Sequence, residues 1–296
     1  MYIDLMDVQG TELDDIKTIR AVDSCKRNIS SLVGNRLESY ILDKVRIHFS
    51  KELKYAFYTI KKNKVFSWFQ RPADKENRER INDFYDKGFE NWLRELDPER
   101  EFHGEDLEGE LHRVKYPGVS DRDTNGDGNG SKVIQCPVLG EFISESLTIV
   151  LYMDAIRQYS HACGYNEEMV LNGVFAHEFF HAYHYCACLL DKRHTKQNWN
   201  IRTNYASIVK ESLASWFEFW FFEQNHERRI LSDMLHFWYR IDVNDYPYSG
   251  ALGLLPYFTL KINKPNAIKD IFVDSLCSWR YAAEEIVGLY RMIHIG

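Results

Sequence analysis

The sequence predicts an α+β fold, with a helical N-terminal region over residues 1–100 and a second domain over 111–296 that combines a small sheet with helices. Three observations lead there. Apolar residues recur at helical spacing in the first hundred residues. Short segments rich in β-branched and aromatic residues cluster between 111 and 153. After Asp154 the pattern is helical to the end of the chain. Helices and strands are thus segregated, not alternating, which separates this order from the βαβ pattern of a parallel α/β sheet.

The elements follow in order. Over 37–60, apolar side chains fall at Leu37, Ile41, Val45, Phe49, Leu53, Phe57 and Ile60, close to the helical repeat. The same stretch carries Lys44, Arg46, Lys51, Lys54, Lys61, Lys62 and Lys64 against Asp43 and Glu52, so a solvated basic face is expected. A second helical pattern over 81–96 places Phe84, Phe89, Trp92 and Leu93 on its apolar side. Residues 95–110 are acidic and include Pro98 and two glycines, which marks a linker and the domain boundary. Strands are expected at 111–116, 132–138 and 147–153. The first two are joined by the loop DRDTNGDGNGS, and a helix follows over 167–190.

Composition limits the function classes. A chain of 296 residues is long enough to bury a large core. Its formal net charge of −7 argues against a general nucleic-acid binder, although the basic stretch at 44–64 is a local candidate for such a contact. No apolar run reaches the ~18 residues of a membrane span, and the N-terminus has no apolar secretory core. The six cysteines follow no framework of spacings, so free thiols and a cytoplasmic location are expected.

The chemistry concentrates in EEMVLNGVFAHEFFHAYHYCACLL, residues 167–190. Asn166 can cap this helix, and Glu167 and Glu168 suit the positive end of its dipole. Within it, His177 and His181 lie four residues apart, on one helical face, so both imidazoles can reach a single ion. Zinc accepts two nitrogen ligands and keeps an open position for water. Glu178, beside the first histidine, can take a proton from the attacking water and deliver it to a leaving amine. Val174, Phe175, Ala176, Phe179, Phe180, Ala182 and Tyr183 surround the trio with uncharged side chains, as a buried site requires.

The segment from Val174 to Tyr183 resembles the active-site helix of the zincin metallopeptidases. The metzincin branch takes a third histidine six residues after the second, with a glycine halfway; here those positions hold Ala187 and His184. The gluzincin branch closes its site with a glutamate from a later helix. Residues 203–223 are similar to that element: Glu211, followed by the small Ala214, is the third ligand the resemblance implies. Glu218 competes on the same face but lies two turns on, about 10 Å along the axis, so only one of the two can ligate. Where some gluzincins carry an aspartate four residues after this ligand, the chain has Ser215.

The resemblance implies a zincin-like catalytic core over 111–296, zinc as cofactor, and a peptide or protein as substrate. It also implies an edge strand against which that substrate pairs, expected at 145–153, and an oxyanion stabiliser from downstream. Tyr248 in the turn-like segment DYPYSG is the first candidate, with His236 and His184 as alternatives. The competing reading is a zincin fold kept as a binding or scaffold module without turnover. In the loop, Asp121, Asp123, Asn125, Asp127 and Asn129 alternate as in calcium loops. Lys132 or Ile134 falls where an EF-hand needs its twelfth-position glutamate, so a hairpin loop is expected there. Cys186 and Cys188 face different sides of the helix.

Overall fold

The computed structural model describes residues 2–4, 44–61, 131–190, 199, 203–240, 247–255 and 278–294. They fall into two compact units, residues 1–59 with 111–196 and residues 60–110 with 197–296. The architecture is α+β: mostly helical, with a small mixed sheet. The expected helix at 81–96, the strand at 111–116, the acidic linker and the 121–130 loop lie outside the described residues.

The first unit is built on a four-stranded sheet. Its strands are β1 (Tyr2–Asp4), β2 (Arg46–Ser50), β5 (Gly140–Ile143) and β6 (Thr148–Tyr152), in the order β1-β2-β6-β5. A separate pair joins β3 (Tyr55–Lys61) and β4 (Ser131–Pro137). β1, β2 and β6 run parallel, with Ile47 opposite Ile149 and Phe49 opposite Leu151. β5 runs antiparallel to β6, with Gly140 opposite Leu151. The β5–β6 turn spans residues 144–147, and Leu147 takes a left-handed φ of 53°.

The helix expected over 37–60 is therefore replaced, from residue 46 on, by strands. Val45, Ile47 and Phe49 are buried while Arg46 is exposed, a two-residue alternation. Every fourth residue lies on one face of a strand as well as on nearly one face of a helix. The spacing at 45, 49, 53 and 57 therefore did not discriminate between the two, whereas Ile47 between Val45 and Phe49 does.

Two helices cover the sheet. α1 (Met153–Cys163) packs on β2 and β6, and α2 (Glu167–Leu190) packs on β5, β6 and α1. Gly164, at φ 67°, closes α1 with its backbone N–H on Ser160 and His161 carbonyls. α2 starts where Asn166 Oδ1 accepts the Met169 backbone N–H at 3.2 Å. It is buried on all sides, from Val170 through Cys188, as its nearly continuous apolar composition demands.

The second unit centres on α3 (Asn204–Gln224). Thr203 caps it, its Oγ1 accepting the Ala206 N–H at 3.2 Å. α4 (Arg228–Arg240), a 3-10 turn (Pro247–Gly250), α5 (Ala251–Leu254) and α6 (Trp279–His294) all pack against α3. Ala206, Leu213, Ala214 and Phe217 of α3 are fully buried. Among the described residues no helix is long and apolar enough to cross a membrane.

Candidate metal centre

Helix geometry makes the site's first half. Residues four apart on α2 stack one turn above the other, so His177 and His181 meet. Their Nε2 atoms approach to 3.1 Å, and the rings stand edge to face at 79° with centroids 4.8 Å apart. His177, Glu178 and His181 are each 6–7% exposed. Such burial strips water from all three groups and strengthens any charge interaction among them.

Among the described residues, His177, His181 and Glu211 form a group that could hold a metal ion, each offering one ligand atom, all within 4.8 Å of one another. Two nitrogens bound at ~2.05 Å in tetrahedral geometry stand about 3.3 Å apart, so the 3.1 Å between the imidazole nitrogens fits one ion. Nitrogen and carboxylate donors with no thiolate suit zinc or a similar borderline cation. Glu218, the competing ligand, is not part of the group, although it too is half-buried.

The neighbours of Glu211 are held by the second unit's own contacts. Ser212 Oγ donates to the Pro247 carbonyl at 3.0 Å, which ties α3 to the 3-10 turn that carries Tyr248. Tyr248 is half-buried, one residue beyond that anchor. On the other side of Glu211, Lys210 Nζ donates to the Trp199 carbonyl at 3.1 Å and lies 4.8 Å from the centroid of the Trp199 ring. Of the alternatives to Tyr248, His184 is fully buried on α2, and the side chain of His236 lies outside the described residues.

One expectation about the sheet is corrected. The segment 145–153 was expected at the edge, but β6 lies between β2 and β5 and hydrogen-bonds on both sides. In the four-stranded sheet the edges are β1 and β5, and β5 is the edge that packs on α2. It is only four residues long and opens on a glycine, so strand propensity alone does not reveal it.

A polar cluster fixes β5. The Glu141 carboxylate accepts the Tyr152 phenol on one oxygen and Lys54 Nζ at 2.5 Å on the other. Burial first, then this bond and the negative charges of Glu141, Glu52 and Glu178, push the Tyr152 phenol well above its ordinary pKa, so it stays a donor to Glu141. No protein-family model, curated protein or solved structure matches the chain.

Proposed function

We propose that the chain is a zinc-dependent metallopeptidase of gluzincin type, with His177, His181 and Glu211 as ligands and Glu178 as general base. One observation carries the reading: the donor atoms of these three ligands lie within 4.8 Å of one another, and the sequence motif and the family resemblance single out the same three residues. Zinc bound there supplies Lewis acidity, acidifying water and polarising a peptide carbonyl.

The chain's own groups do the rest. Glu178, adjacent to His177 and nearly closed to solvent, takes a proton from the attacking water and returns it to the departing amine. Tyr248, on the turn anchored to Ser212 beside Glu211, donates a hydrogen bond to the oxyanion that develops on the carbonyl oxygen. The side of β5 away from β6, where no described strand pairs, offers backbone groups with which an extended peptide can pair as an added strand.

The test has two readouts. Purified protein is expected to hold about one zinc per chain, lost in His177→Ala. The loaded protein is expected to cleave members of a fluorogenic peptide library in a chelator-sensitive way. Wild-type protein without zinc refutes the site. Zinc-loaded protein that cleaves no peptide refutes the peptidase reading and leaves a metal-binding module.

A further inference from the structure

Strand β5 meets α2 at a residue where a side chain finds room only if a neighbour shifts. A β-carbon placed on Gly140 would lie 2.7 Å from Val174 Cγ1, 3.0 Å from Glu178 Cγ and 3.3 Å from the Val150 carbonyl oxygen. The first of these separations is one that real β-carbons essentially never show, and the others are tighter than nine in ten real contacts, so a neighbour would have to give by a few tenths of an ångström. Backbone freedom does not explain this glycine. Among the described glycines only Gly164 has a positive φ, so Gly140 adopts a conformation open to alanine and only space forbids it.

Val174 and Glu178 are four residues apart on α2 and share the face that meets β5. We infer that Gly140 is a positioning residue for Glu178: the bare backbone of β5 rests against the side-chain stem of the proposed base and fixes its rotamer. The inference rests on the metallopeptidase reading for its catalytic consequence, but its geometric content stands on the contacts alone.

What would yield if a methyl were added follows from how each part is held. β5 is pinned by its pairing of Gly140 with Leu151 and by the Tyr152 N–H on the Leu139 carbonyl at 2.9 Å. The Val138 N–H on the Lys54 carbonyl at 2.8 Å and the two bonds to Glu141 hold it further. Val174 is branched at Cβ and confined to one strongly preferred rotamer in a helix. The unbranched Glu178 stem is the most compliant neighbour, so it moves, and its carboxylate moves with it.

A displacement of about 1 Å at a reacting group can cost on the order of 100-fold in rate. Zinc-loaded G140A is therefore expected to retain about one zinc per chain and a KM within about twofold of wild type, while kcat falls by on the order of 100-fold. The substrate is the library peptide that wild type cleaves fastest. Adding V174A, which vacates the tightest contact, is expected to recover about a tenth of that loss or more. A crystal structure of G140A is expected to show Glu178 Cγ displaced and the His177 and His181 rings in place.

Wild-type kcat in G140A overturns the inference. So does an undisplaced Glu178 in the crystal, or a loss of zinc and activity together that V174A does not restore. Should G140A alone fail to fold, V174A must restore folding and zinc; failure of that pair also overturns it. If the wild-type protein binds zinc and cleaves nothing, the peptidase reading falls, while the crystallographic comparison of G140A with wild type still decides the role of Gly140.

Discussion

Replacing Glu178 by glutamine isolates the proposed base from everything else it does. The amide has the shape of the carboxylate, so the contact of its Cγ with Gly140 is kept. The two imidazoles proposed as ligands, four residues apart, are untouched. What disappears is the capacity to take a proton. General-base assistance contributes about 10²- to 10⁴-fold, or about 2.7–5.5 kcal/mol of transition-state stabilisation. The variant is expected to hold about one zinc per chain, to keep KM within about twofold and to lose kcat by that factor. Steady-state kinetics with metal analysis on one preparation measures all of this. Full activity in Glu178→Gln refutes the assignment of the base; loss of zinc refutes the claim that Glu178 is not a ligand.

Other substitutions separate the remaining roles. Glu211→Gln is expected to weaken zinc retention against a chelator by more than ~100-fold, since removing a ligand exceeds the 10- to 100-fold typical of its outer partners, whereas Glu218→Gln is expected to leave it unchanged. Tyr248→Phe is expected to lower kcat by roughly 10²- to 10³-fold with zinc retained, the loss seen when one oxyanion donor is removed; unchanged kcat transfers the role to another residue. Thr203→Ala removes the α3 cap and is expected to cost about 1 kcal/mol in urea unfolding. Burial pushes the Cys186 thiol up from 9.0 to about 12, so between those values the folded protein keeps a proton that the unfolded chain releases. Stability therefore falls as pH rises through that window, by at most about 1.4 kcal/mol per pH unit from this group. Cys186→Ala is expected to flatten that limb of the unfolding profile.

The parts of the structure that the sequence revealed are those whose signals are local. Helix α2 occupies the expected residues, because Asn166 caps it and its apolar run is too long for a strand. β4 and β6 lie within a residue or two of expectation, because their β-branched runs are bounded by turns. His177 and His181 are read from one helix by spacing alone. β2 and β3 were misread because a four-residue interval is common to both periodicities, and β5 was missed because its four residues carry one glycine and no alternation. Glu211 has no local signature at all. On spacing it is equivalent to Glu218, and only the likeness to a family that uses a later glutamate ranked it first.

Gly140 shows why such positions stay hidden. Nothing in the string VLGEFIS distinguishes a glycine that turns the chain from one that clears space for another element. The difference appears only when β5, held to β6 by its register and to Lys54 and Tyr152 through Glu141, is laid against Val174 and Glu178. A histidine pair four residues apart is set by helix geometry and tolerates small shifts of its surroundings. The glutamate between them has three rotatable bonds, and folding alone leaves it several rotamers. A base needs one of them, so the constraint has to come from outside the helix. Here it comes from a strand whose backbone approaches closely because it has no side chain at that point.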